Sequence, residues 1–270
     1  MNYEVPLTGA INLDCRLGYG AISVHAVEDL STATVALSAR ESGSDVAEKC
    51  VVEMQGRTLT VRGRKPPNTI FDMPVFLGRA SPRDALDADI SVPAGTAMKI
   101  SSYGADLIID GRGGSADIAS GATTIRIENV DGDLRVRFGS GPVQVSRVSG
   151  TVVLKYGSGE AHLGEIGGAL DMACGSGSLD VQIAHGSVRA RTGAGRASVG
   201  CAYGDVDLTS GSGGLEVGLP PGQNARLDVL TGGGQLQSEL DVHDRAPGGE
   251  AITVRTRTGS GNVRLFRAVA

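Results

Sequence analysis

At 270 residues the chain is long enough to bury a core, as one large domain or two ordinary ones, and 40% hydrophobic with 20% charged residues excludes a disordered chain. A net charge of −5 offers no counterion-release drive toward nucleic acid or an anionic membrane surface, and no apolar run of about 18 residues marks a membrane-spanning helix. Glycine occurs 41 times while tryptophan is absent, so the fold has to be built from many small aliphatic contacts and frequent turns.

The opening stretch, MNYEVPLTGAINLD, carries Glu4 and Asp14, no basic cluster and no apolar run of signal-peptide length, which predicts a cytoplasmic protein. CRLGYGAISVHAV follows, a strand, Gly-x-Gly, strand pattern around Gly18 and Gly20, and STATVALSA and GRTLTVRGR add alternating segments. Between them SDVAEKC reads as the one helix start. Ser44 or Asp45 is its N-cap, Glu48 can close a capping box, and about two turns would lie over the open end of the fold. From Arg64 to Ala85 alternation is lost, which predicts a long loop. That loop holds Phe71, Met73, Val75, Phe76 and Leu77, a concentration of large apolar residues that either packs back over the fold or presents an interaction patch.

From about residue 101 a strict schedule takes over. Gly114, Gly132, Gly150, Gly168, Gly186 and Gly204 recur every 18 residues, and Gly121, Gly139, Gly157, Gly175, Gly193 and Gly211 form a second comb with the same step. Between the combs apolar residues alternate with polar ones, such as Leu134 and Val136 or Val143 and Val145, as half-buried strands require. Each 18-residue row is therefore two short strands and two turns, and rows must stack. Glycine recurs because every row turns at the same corners, where φ > 0 or a close backbone approach leaves no room for a Cβ. Downstream the step lengthens to 21 and 27 residues, at Gly232 and Gly259, as if loop residues were added to successive rows. The pattern predicts an all-β fold, a parallel β-solenoid of the β-helix or β-roll kind with 18-residue two-strand rungs. Residues 1–100 are a less regular β segment with one short capping helix and a long loop near 64–85. Residues 101–270 are the regular repeats, and the whole is one continuous domain.

The quoted segments GYGAISVHAV, GRTLTVRGR and DADISVPAGTAMKISS, followed by FGSGPVQV, YGSGEAHL, CGSGSLDV and RTGSGNVRL, resemble a bacterial β-strand-repeat family that carries an adhesin label and has no known function. The resemblance spans nearly the whole chain and implies a β-solenoid with a less regular N-terminal segment. It transfers no catalytic residue, because the matching positions are turn glycines and core aliphatics.

The chemistry-bearing residues are dispersed. Cys15, Cys50, Cys174 and Cys201 lack metal-ligand spacing and read as reduced thiols. The residues after the first comb, Ser115, Asp133, Thr151, Ala169, Ser187 and Asp205, supply too few carboxylates for a calcium roll, so neither metal nor cofactor is expected. His25, His162, His185 and His243 accompany no nucleophile motif. Asp117, Asp131, Asp133 and Asp171 intersperse with Arg135, Arg137, Lys155, Arg189 and Arg191, the pattern of a solvated mixed-charge face. Phe138, Tyr156 and Cys174 share one column, as an aromatic stack or as packing at the edge of the core. The reading is a non-catalytic cytoplasmic scaffold or interaction module whose partner is another protein or a second copy, with no nucleic acid and no membrane insertion. The alternatives are an exported, adhesin-like binding protein and, third, a carbohydrate-active β-helix enzyme, for which carbohydrate binding has no direct support.

Overall fold

Alternation leaves every strand with one apolar face to bury, and five or six residues are too few to reach a distant partner, so each strand pairs with the strand one row away. The computed structural model describes residues 1–41, 44–63, 85–240 and 251–268, and shows strands without a helix among them. They belong to two compact units, Met1–Gly141 and Pro142–Ala270.

In the first unit β1 spans Asn2–Pro6, β2 Asn12–Val27, β3 Thr32–Ala39, β4 Val51–Gln55 and β5 Thr58–Arg62. β6 (Leu86–Pro93), β7 (Ala97–Gly113), β8 (Ala116–Ala122) and β9 (Ile125–Val130) follow, and β10 (Leu134–Val148) begins here. The first half of β2 lies in parallel between β5 and β7, its second half between β6 and β7. β7 then passes to β8 and β9, and β8 to β10. Parallel register stacks like on like: Val61, Cys15, Ile100, Ile118 and Val136 form one buried column.

The expected capping helix is absent. Asp45 to Lys49 close a single i to i+4 hydrogen bond, at 3.2 Å, with a Lys49–Asp45 ion pair across it. One turn cannot repay helix nucleation, and Cys50 leads directly into β4. The outer positions are held by antiparallel strands instead: β4 on β5, β3 on β6 and β1 on β3. A change from parallel to antiparallel pairing ends the row schedule without leaving β5 or β6 as an open edge.

In the second unit β11 (Val152–Ile166) and β12 (Leu170–Ala184) are long strands that run through the Gly-Ser-Gly corner without interruption, Ser158 facing Ser176 and Gly159 facing Gly177. The corner is a bend within a paired strand, where a turn between two strands was expected. Later rows do break in two: β13 (Val188–Thr192) with β14 (Ala197–Ala202), and β15 (Val206–Ser210) with β16 (Leu215–Leu219). β17 (Asn224–Thr231), β18 (Leu236–Ser238), β19 (Ala251–Thr258) and β20 (Val263–Arg267) complete the unit.

The lengthened glycine steps have a different cause from added loops alone. β15 pairs with β19 and β16 with β20, while β17 and β18 lie beyond them on β19 and β20. The last row in sequence is thus the penultimate row in space. The N-terminal unit does the same, since β2, early in the chain, sits between β5–β6 and β7. In both units a row near the chain end is clamped on two sides, which ties down a segment that would otherwise fray.

Corner hydroxyls trace the same order. Thr192, Ser210, Thr258 and Thr231 occupy equivalent corner positions in successive rows, and their hydroxyls donate to the carbonyls of Gly177, Gly195, Gly213 and Gly261 at 3.0 to 3.3 Å. Every inward candidate from the alternation is buried, Leu134 through Val217. Thr256 is a polar inward position with no exposed surface, and its hydroxyl has no partner. It stands in the column Leu154, Met172, Ala190, Leu208, Thr256, Val229. Thr256→Val is therefore expected to stabilise the protein by about 1–2 kcal/mol. A higher urea midpoint would show it, and a lower one would mean that the hydroxyl is bonded.

Candidate interaction surface

Outward positions of adjacent strands form a grid, so residues one row apart become neighbours. Most of the charges on it are matched. Arg137 bonds Asp117 at 3.0 Å, and Arg112 reaches Asp131 at 2.8 Å and Glu28 at 3.2 Å. His25 stands between Asp89 and Asp110, at 3.5 and 3.3 Å. His162 stands between Glu160 and Asp180, at 3.5 and 3.7 Å, and Asp171 faces Arg189 across the β12–β13 ladder. Exposed pairs of this kind contribute about 0–1 kcal/mol each, so these outward positions read as solvated. Among the described residues no group of three or more His, Cys, Asp or Glu side chains is placed to hold a metal ion.

One region departs from that pattern. β11, β12 and β14 set Glu165 beside Ile183 and Ile183 beside Cys201, and Arg147 bonds Glu165. Just past the strand ends the His185 and Tyr203 rings stack with centroids 5.1 Å apart and planes 20° off parallel, while His185 Nε2 meets Glu165 at 3.1 Å. The hydrogen bond to His185, reinforced by Arg147, outweighs partial desolvation and holds the Glu165 carboxyl below its ordinary range. The neighbouring Cys201 thiol pushes the Tyr203 phenol up. Tyr203 and Ile183 remain 47% and 37% exposed. An aliphatic side chain, an aromatic ring and an imidazole–carboxylate pair thus lie together at the ends of paired strands, the mixture that protein-binding surfaces use.

A second feature is the outer edge of β17 and β18, where Leu230 is 62% and Leu236 50% exposed. Among the described residues no strand pairs with that edge.

Phe138 and Tyr156 are both buried, as packing at the edge of the core demands, and Tyr156 Oη donates to the Ser178 carbonyl at 2.8 Å. Burial, with the Cys174 thiol beside it, pushes the Tyr156 phenol far up. Burial likewise pushes up the Cys15 thiol, with Asp14 and Cys50 adding to the effect, which makes it unreactive. Phe71, Met73, Val75, Phe76 and Leu77 lie outside the described residues. The two glycine combs sit at the corners, packed against the neighbouring row: a Cβ on Gly186 would come within 2.3 Å of the Gly168 carbonyl oxygen, and one on Gly175 within 2.9 Å of that of Gly157.

Sequence reading missed the His185–Tyr203 stack, yet its signal was available. The two residues are 18 apart, as are Arg147, Glu165, Ile183 and Cys201 in turn, so the row length that aligns the glycines also makes these side chains neighbours.

Parallel rows with stacked apolar columns and bent glycine corners make this a β-solenoid protein. Residues 22–269 match the sequence profile described as Toastrack DUF4097. The chain belongs to that family. No curated protein sequence matches it. Among solved structures it is similar to a candidate adhesin from Parabacteroides merdae, with 9% identity, a TM-score of 0.42 and coverage of 98% of this chain and 95% of the other. A candidate adhesin from Parabacteroides distasonis is 11% identical with a TM-score of 0.40, covering 98% and 96%. A candidate cell adhesion protein from Clostridium sporogenes is 10% identical with a TM-score of 0.22, covering 99% of each chain.

Proposed function

We propose that the chain is a non-catalytic interaction module that binds a protein partner through the Ile183–Tyr203 region and works as a scaffold in the cytoplasm. The observation that carries this reading is the His185–Tyr203 stack just past the ends of β12 and β14, with exposed Ile183 beside it. Rigid side chains lose little entropy on binding, and an exposed tyrosine is the residue type that anchors protein contacts. The cytoplasmic assignment draws support from four cysteines that are all free thiols, which suits a reducing compartment.

The test compares wild-type protein with the Ile183→Ser/Tyr203→Ser variant as bait in the native host, with quantitative readout of captured proteins. The variant is expected to keep its β circular dichroism and to lose the captured partner at least tenfold, about the effect of removing 1.4 kcal/mol. Equal capture by both baits would remove the surface from the reading. Cell fractionation of the host separates the cytoplasmic assignment from an exported one.

A further inference from the structure

The open strand β17 carries information about what completes it. Gly232 N donates to Thr258 O at 3.1 Å beside the Thr231–Thr258 pair of the parallel ladder. Backbone groups alternate sides along a strand. Arg226, Asp228 and Leu230 therefore turn their amides and carbonyls toward β19, while Ala225, Leu227 and Val229 turn theirs to the open edge. The strand is thus prepared to accept hydrogen bonds from a further strand along its whole length.

We propose that the further strand is β17 of a second copy, antiparallel and centred on Leu227, so that the protein forms a two-fold dimer. This inference rests on the interaction-module reading and names a second copy of the chain as one partner. A two-fold axis places a strand antiparallel to itself, and hydrogen-bonded pairs must join residues whose backbone groups face the edge. Four central registers satisfy both conditions, and the one centred on Val229 opposes Asp228 to Leu230 without a charge pair. Centred on Arg226, the pairing opposes Arg226 to its own copy. Centred on Asp228, it opposes two carboxylates. Centred on Leu227, it sets Arg226 of each copy against Asp228 of the other, and pairs Leu227 with Leu227 and Ala225 with Val229 on the inner face. Opposite charges directly across a ladder favour pairing and like charges disfavour it, so the charge pattern selects one register out of four.

Side-chain surroundings agree with that register. Arg226 is exposed, and among the described residues it has no ion-pair partner. Asp228 is already aimed across the outer face by Arg255 at 3.0 Å and Arg257 at 3.5 Å, with Asp207 opposite Arg255 in the next row to share that positive charge. Leu227 and Val229 are only half buried here, whereas Val254 and Val206, in the same column as Leu227, are fully buried. A second copy extends the apolar columns across the junction and covers them.

Sedimentation velocity of the full chain over a concentration series tests the proposal, and a dimer is the expected species. Arg226→Asp, which creates two carboxylate pairs in the selected register, is expected to raise the dimer dissociation constant about tenfold or more. Ala225→Pro removes an amide that faces the edge and no bond to β19, so it is expected to give a folded monomer. Thermal melts of each variant separate loss of pairing from loss of folding. A wild-type chain that stays monomeric at tens of micromolar overturns the proposal, as does a dimer that survives both Arg226→Asp and Ala225→Pro. A dimer that dissociates on Ile183→Ser/Tyr203→Ser overturns it too, whereas a monomeric wild type that still captures a host protein leaves the partner reading intact.

Discussion

Gly213→Ala is expected to destabilise the protein by about 3 kcal/mol or more, while Gly18→Ala is expected to change its stability by less than about 1 kcal/mol. Both replacements add one methyl group to a glycine in a corner region, so the contrast isolates the space around it. A Cβ on Gly213 would stand 1.7 Å from the Gly195 carbonyl oxygen and 2.4 Å from its carbon. That obstacle is backbone, and its row is hydrogen-bonded to the next, so relief requires opening the ladder. Nothing lies within 4 Å of the Cβ position at Gly18. Chemical denaturation of the two variants against wild type reads the difference directly, and equal midpoints would mean that the rows do not stack in this register.

Gly213 belongs to a third glycine column, with Gly159, Gly177 and Gly195, each 18 residues apart. The combs beginning at Gly114 and Gly121 were legible because glycine is conspicuous and the step is constant. The third was equally present in every Gly-Ser-Gly, but alternation does not say which glycine of a pair meets the neighbouring row. Gly159 adopts φ of +128°, in the region where a side chain is strained, and the demand on its column arises only once rows are stacked. The core was readable for a simple reason: with one face buried, a period of two admits a single inward set, so Val152, Leu170, Val188 and Val206 had to line up.

What sequence could not supply was the spatial order of rows. A β15-to-β17 order and the observed β15-to-β19 order both place Gly211, Gly232 and Gly259 at corners, and only pairing distinguishes them. The failed helix at Asp45 has the same origin. Its capping residues are real, since Val46 N reaches Ser44 Oγ at 3.4 Å, but local signals lost to the antiparallel pairing that Val51 makes with Arg62. The interaction surface was invisible for a third reason: His185 and Tyr203 are ordinary residues until the row length makes them adjacent.

The observed row order makes the second large prediction. Removing residues 221–247, so that Pro220 joins Gly248, deletes β17 and β18 and is expected to leave a cooperatively folding protein. Ending the chain at Leu240 deletes β19 and β20 and is expected to unfold the C-terminal unit. In the observed order the first change takes away an outermost row whose Leu227 and Val229 are only half buried. Its neighbours β19 and β20 stay paired to β15 and β16. The second change removes the row between, with Ile252, Val254, Val263 and Leu265 all buried. Each of those side chains contributes about 1.5–3 kcal/mol, so together they approach the entire stability of a typical domain, about 5–15 kcal/mol. It also strands β17 and β18, which have no other strand partner among the described residues. If rows followed chain order the outcomes would reverse: the truncation would merely shorten the stack, and the internal deletion would tear out a middle row. Circular dichroism melts of the two shortened chains therefore decide between the orders, since each order protects the chain that the other destroys.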